Sequence, residues 1–275
     1  MFGLAAAAAW GAGDFGGGLV SRRVAVFGVV LVTQLVGMAI AAAIAIIRAE
    51  PVPMGMDLVL CVLAGVMGAI GITSLYRGLA VGRMGVVAPV TGVLAAVIPV
   101  VAGIVLEGWP PALVLLGIGL AVIAVVLVSR VKDERATGPS GLREALLAGV
   151  AIGLFGVVIS GIGDGFVFTS LTVMRGTQAV VIVLAILLTR APWRPPRDAL
   201  AALVAIGVLD MAGNAFYLLG VQTGALAIAS VLSALYPVVT VVLAAVLLGE
   251  RVTRDHGVGI ALAAGAIVCI GVGSA

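Results

Sequence analysis

Roughly ten apolar stretches follow one another along this chain, most of them near the length a helix needs to cross a bilayer, with only short polar interruptions between them. No aqueous fold of this size can bury so much apolar surface. Hydrophobic residues make up 63% of 275 positions, charged residues 10%, and the mean hydropathy is +1.34. A water-soluble domain is near half apolar and a quarter charged. Lipid is therefore the expected solvent. The spans are expected to be helices, because the bilayer core offers no water to an open backbone. A membrane β-barrel would read as segments of about ten residues in strict alternation. Here the runs are long, continuous and rich in Ala, Leu, Val and Gly. The 39 glycines suit helices that pack backbone to backbone. The longest polar stretch, Arg130 to Arg143, is too short to fold alone.

The hydropathy pattern predicts ten spans, leaving no room for a separate soluble domain. The first five are Gly3–Leu19, Val24–Ile47, Leu58–Leu79, Met84–Leu106 and Leu113–Ser129. The second five are Arg143–Ser160, Phe166–Thr189, Ala199–Gly220, Ala225–Leu248 and Gly257–Gly273. The turn-like string Gly161-Ile162-Gly163-Asp164-Gly165 separates the sixth span from the seventh, with Asp164 marking the surface. Met1 to Val20 has the length of a signal peptide but no basic start, so it is read as a retained first span.

The two sets of five resemble each other at an offset near 142. Gly78-x-x-x-Gly82 closes the third span and Gly220-x-x-x-Gly224 the eighth, preceded by Tyr76 and Tyr217. The fourth span ends in Leu106-Glu107-Gly108 and the ninth in Leu248-Gly249-Glu250-Arg251. Five is an odd number, so the second copy enters the membrane from the opposite side. The expected fold is thus an all-α membrane protein of ten transmembrane helices in two inverted five-helix repeats, residues 1–134 and 142–275. Secondary transporters are built this way, with the substrate near the midplane between the halves. Lysine and arginine set the orientation. Odd-numbered turns hold Arg22, Arg23, Arg83, Arg130, Lys132, Arg135, Arg143, Arg190, Arg194, Arg197, Arg251 and Arg254, against Arg48 alone in the even-numbered ones. Odd turns are expected in the cytoplasm and both termini outside it.

The string Ala9-Trp10-Gly11-Ala12-Gly13-Asp14-Phe15-Gly16-Gly17-Gly18 in the first span resembles the opening of EamA-type permeases of the drug/metabolite transporter superfamily. Ala234-Leu235-Tyr236-Pro237-Val238-Val239-Thr240 followed by Leu248-Gly249-Glu250-Arg251 is similar to their ninth helix. Arg77-Gly78-Leu79-Ala80-Val81-Gly82 into Val87-Ala88-Pro89-Val90 resembles the first-half counterpart, and Glu107 departs from it in being followed by Gly108. The resemblance runs the length of the chain. It implies ten helices, a central cavity between two inverted halves, and alternating access. Members move small metabolites, among them amino acids, nucleobases and amphipathic compounds, often outward.

Ionisable groups inside a membrane are costly and mark candidate sites. Asp210 lies mid-span, with Asn214 four residues on and Tyr217 three further along the same stripe. Low dielectric penalises the charged carboxylate, a condition for exchanging a proton. Asp210 is therefore read either as a coupling or amine-binding group, or as a structural aspartate that is hydrogen-bonded to a neighbouring helix or paired with an arginine. Arg175 lies in the seventh span and Gln34 at the matching position of the second, with Gln178 on the face of Arg175. Arg175 could bind a substrate carboxylate, neutralise Asp210, or belong to a loop. Asp14, beside Trp10 one turn away, is either a cavity residue or a surface one. Tyr76 and Tyr236 are either cavity-lining or interfacial anchors, and Arg77 is expected to snorkel. Pro89, Pro99 and Pro237 are expected to kink their helices.

Other chemistries have no support in the residues. No Gly-x-x-x-x-Gly-Lys-Ser/Thr loop and no His-Glu-x-x-His occurs, so neither nucleotide hydrolysis nor a metalloprotease site is expected. His256, in a short predicted loop, is given no role. Cys61 and Cys269 form neither a metal pattern nor a disulfide framework. The expected protein is a non-enzyme without cofactor or metal, a secondary transporter exporting small organic metabolites, with the proton as candidate coupling ion. A passive facilitator is the alternative. Its partners are a small-molecule substrate and the bilayer of a cell inner membrane, not nucleic acid. A monomer suffices, and a dimer stays open.

Overall fold

The computed structural model describes every residue except 22, 82, 83, 129–140, 225, 249–253 and 274–275. Arg22, Gly82, Arg83, Arg130, Lys132, Arg135, Gly249, Glu250 and Arg251 thus lie outside the described residues. The chain is all-helical, with no strand among those described. Its helices are α1 (Phe2–Ser21), α2 (Val26–Ile47), α3 (Met56–Val81), α4 (Met84–Glu107), α5 (Ala112–Val128) and α6 (Leu142–Ser160). They continue with α7 (Val167–Thr189), α8 (Leu200–Gln222), α9 (Leu226–Ser233), α10 (Tyr236–Leu248) and α11 (Arg254–Gly273). Six stretches are long and apolar enough to cross a membrane, in α2, α3, α4, α6, α7 and α8; shorter apolar helices lie at Ala112–Leu127, Leu226–Thr240 and Gly257–Gly273.

Two expectations are corrected. The predicted ninth span is divided into α9 and α10 at Ala234–Leu235. Pro237 offers no N–H and its ring crowds the carbonyl four residues back. The backbone tightens there, Leu235 N–H reaching only to the Leu232 carbonyl at 3.4 Å. Pro99, by contrast, sits inside the unbroken α4. His256, expected in a loop, lies in the first turn of α11, which starts at Arg254.

The polarity of the bundle is that of a protein dissolved in lipid. Its outer surface carries Ile46 at 79% and Leu188 at 84% exposure, with many other large apolar side chains. Its interior holds Gln34, Arg175, Gln178, Asn214, Ser230 and Ser233, all buried. In water the outside would be an aggregation surface; in a bilayer it meets matching solvent.

The packing has a regular plan. α1 packs on α8, α9 and α10, while α6 packs on α3 and α4. α2 packs on α8, and α7 on α3. α2 meets α7, α4 meets α9, and α5 forms a peripheral pair with α11. Small residues set these distances. A Cβ on Gly65 of α3 would lie 2.7 Å from the Met174 carbonyl and 2.6 Å from Thr177 Cβ. A Cβ on Gly207 of α8, 142 positions on, would lie 3.0 Å from the Thr33 carbonyl and 3.0 Å from Val36 Cβ. Among the described residues, Ala49 after α2 and Arg190 after α7, 141 positions apart, are the non-glycine residues with positive φ, at 50° and 52°.

One end of the bundle is tied by carboxylates. Glu50 accepts from the N–H groups of Phe168 and Thr169 at 2.7 and 3.1 Å, at the start of α7. Glu107, ending α4, accepts from Leu226 N–H with both oxygens at 3.0 and 3.2 Å, at the start of α9. Asp57 accepts from Gly163 N–H at 2.9 Å, and Gln222 Nε2 donates to the Gly163 carbonyl at 3.0 Å. Helix starts leave unpaired N–H groups and partial positive charge, so an acidic residue brought from another helix satisfies both.

Candidate functional site: a polar cavity at the centre of the bundle

A cavity of about 120 Å³ lies among α1, α2, α3, α4, α6, α7, α8, α9 and α10. Of the residues singled out from the sequence, Trp10, Asp14, Gln34, Gln178, Asp210 and Asn214 line it, as do Tyr217 and Tyr236. Residues from distant parts of the chain are thereby gathered around one space. Most of the remaining wall is apolar, including Ile72, Pro99, Ile152 and Phe155. A largely apolar pocket with a few convergent polar groups is the usual form of a small-molecule site.

Arg175 stands behind this wall and not on it. It lies inside α7 and is 1% exposed, which settles its place within the bundle. Its Nη1 donates both to Gln34 Oε1 and to Asp210 Oδ2. Asp210, whose side chain is 24% exposed, faces the cavity. Asp210 is thus paired with an arginine while it lines the cavity. Glycines make the room: a Cβ on Gly37 would lie 3.1 Å from Arg175 Nε, and one on Gly68 2.3 Å from Gln178 Nε2. Arg175 Nη2 is buried without a hydrogen-bond partner among the described residues.

Aromatic residues form another part of the lining. The Trp10 and Tyr217 rings stand 5.6 Å apart at 38°. Trp10 lies so close to α8 that a Cβ on Gly213 would be 2.4 Å from its Cδ1. Tyr217 OH shares a 2.8 Å hydrogen bond with Ser230 Oγ. Tyr76 is buried but is not part of the lining; its hydroxyl sits 2.7 Å from where a Cβ of Gly17 would be. It is therefore no interfacial anchor. Arg77, near the end of α3, is exposed.

Ser230 and Ser233 also line the cavity and were not singled out from the sequence. Their three-residue spacing in an apolar helix was the available signal. The role of Glu107 in capping α9 was likewise not anticipated, because it depends on where another helix begins. No group of metal ligands occurs among the described residues.

A multi-helix membrane protein with a largely apolar central cavity that carries a few polar groups is the class that fold and site define. Residues 140–272 match the EamA-like transporter family. In that part the chain is similar to the EamA-type members of the drug/metabolite transporter superfamily, a family of transporters. One solved crystal structure superposes with a TM-score of 0.81 over 99% of this chain and 96% of that chain, at 18% identity. That likeness concerns the fold. No curated protein matches in sequence.

Proposed function

We propose that this protein is a secondary transporter that moves small organic metabolites out of the cell by alternating access, with the central cavity as its binding site. The observation that carries the reading is the position of that cavity. Its polar groups come from both halves of the chain, Trp10, Asp14 and Gln34 from the first and Gln178, Asp210, Asn214 and Tyr217 from the second. The moving parts in this reading are two inverted five-helix halves, residues 1–134 and 142–275. The packing plan supports that division. Exchanging α1, α2 and α3 for α6, α7 and α8 turns the α1–α8 contact into α6–α3 and the α2–α8 contact into α7–α3. The matched close approaches at Gly65 and Gly207, and the matched positive φ at Ala49 and Arg190, support it further.

In this reading the inner membrane holds ten spans, with the lysine- and arginine-rich odd turns in the cytoplasm and both termini outside. The end tied by Glu50, Asp57 and Glu107 is then the outer one. Each of these carboxylates belongs to the first half and bonds a backbone N–H of the second. The ties hold the halves together at that face, as a cavity closed to the outside requires. The proton is the proposed coupling ion.

The test is flux into inside-out vesicles containing the protein. Amino acids, nucleobases and amphipathic amines are offered with and without an uncoupler. Accumulation abolished by the uncoupler supports coupled export. Equilibration that ignores it supports a passive facilitator. Absence of flux for every solute, with protein correctly inserted, overturns the transport reading for these classes.

A further inference from the structure

We propose that Asp14, together with Trp10 and Tyr236, forms a binding site for a monovalent organic cation, an amine or ammonium group carried on an apolar body. This deepens the transport reading and rests on it for the role of the cavity. The argument begins with a count of charges. Two carboxylates face the cavity, Asp14 and Asp210. Asp210 is already compensated by Arg175, whose Nη1 also serves Gln34. Asp14 makes no ion pair among the described residues, and none of the cavity-lining residues is cationic. When Asp14 is ionised, the lined space therefore carries one uncompensated negative charge inside a largely apolar wall.

Such a charge does not persist alone in low dielectric. It is removed by a proton or met by a cation. The surroundings of Asp14 suit the second as well as the first. Trp10 lies one helical turn away on α1, and Tyr236 and Tyr217 share the cavity. Aromatic faces attract cations, more so when water is excluded. The neutral groups Ser230, Ser233 and Asn214 offer hydrogen bonds without adding charge. Ile72, Pro99 and Phe155 provide an apolar contact surface. An anion finds less: the guanidinium of Arg175 lies outside the lining, with Nη1 engaged on both sides and Nη2, unpartnered among the described residues, buried away from the cavity wall. A neutral solute leaves the charge of Asp14 unmet.

The proton and the cation then compete for one carboxylate, so that each excludes the other. The titratable and charged groups facing Asp14 from the packed helices are Tyr76 on α3, Asp210 on α8 and Tyr236 on α10, with Arg175 held behind Asp210. Asp210 and Arg175 keep their mutual pair, which leaves Asp14 as the group that changes partner. Exchange of one proton for one monovalent cation would move no net charge.

The experiment measures binding to the full chain in lipid nanodiscs by calorimetry. The probes are benzyltrimethylammonium, the neutral benzyl alcohol and the anionic benzoate. Saturable binding of the ammonium alone is expected. Loss of the charged partner in Asp14→Asn should weaken it at least about tenfold. Asp14→Glu should retain it, which separates loss of the site from loss of the fold. In the unmodified protein the ammonium should bind more weakly as pH falls, approaching tenfold per unit where one proton competes. No saturable ammonium binding, binding unchanged in Asp14→Asn, or equal binding of benzoate overturns the proposal. The two readings fail separately. Flux of neutral or anionic solutes without ammonium binding removes the cation site and leaves the transporter. Ammonium binding without flux of any solute, the ammonium included, does the reverse.

Discussion

The Arg175–Asp210 pair is lopsided, and that fixes which partner the fold can less afford to lose. Arg175 is 1% exposed, whereas Asp210 keeps 24% of its side chain open to the cavity. Asp210→Asn leaves a guanidinium that cannot deprotonate and has no route to water. Removing one partner of a buried pair costs about 3–5 kcal/mol. For a chain of this size a loss of 1 kcal/mol lowers the melting temperature by about 2–4 °C, so a fall of roughly 6–20 °C is expected. Arg175→Gln strands a carboxylate that can take up a proton or meet cavity water, and roughly half that loss is expected. Combining both substitutions leaves three neutral hydrogen-bonding side chains at Gln34, 175 and 210. The double variant should then melt within a few degrees of the unmodified protein, well above the sum of the single effects. Thermal unfolding of the four proteins in one detergent measures this. Additive losses, or Asp210→Asn as stable as the unmodified protein, would refute the reasoning.

Glu107→Ala removes the acceptor from the start of α9. Hydrogen bonds to charged groups are worth about 1.5–3 kcal/mol, so faster amide hydrogen exchange at Leu226 and a lower melting point are expected. Gly207→Ala and Gly65→Ala test the helix spacing by the same melting assay. The Gly65 variant should lose more, because its Cβ would sit 2.6–2.7 Å from its neighbours and that of Gly207 only 3.0 Å. Tyr217→Phe strips the hydroxyl that pairs with Ser230 at 2.8 Å. A melting loss equivalent to about 0.5–1.5 kcal/mol is expected, with Trp10 fluorescence altered because the rings are in contact.

The outer ends of the ten spans were legible to within three residues because lipid demands continuous apolar length, and no neighbour is needed to read that. Span ends such as Ile47, Ser160 and Thr189 coincide with those of α2, α6 and α7. The ninth span was read as one helix because its hydropathy is unbroken. The proline at 237 was read as a kink, and whether a proline bends or divides a helix depends on what packs against it. Eight of the ten candidate residues line one cavity because a polar side chain in an apolar run has few places to go but inward. Arg175 and Tyr76 are buried beside it. Ser230 and Ser233 escaped notice because a hydroxyl in a helix can bond its own backbone, as Ser233 does to the Ser230 carbonyl at 3.0 Å.

Sequence alone determined the solvent of this protein, its helical class and the side chains that must be sheltered from lipid, since composition and the 3.6-residue helical period act locally. Only tertiary structure decided which charge is compensated. The sequence offered Arg175 as one possible partner for Asp210 and left Asp14 as either a cavity or a surface residue. Arg175 reaches Asp210 across the gap between α7 and α8 and leaves Asp14 facing the cavity without a counter-charge among the described residues. Charge pairing depends on distances between helices, and the sequence of neither helix contains them.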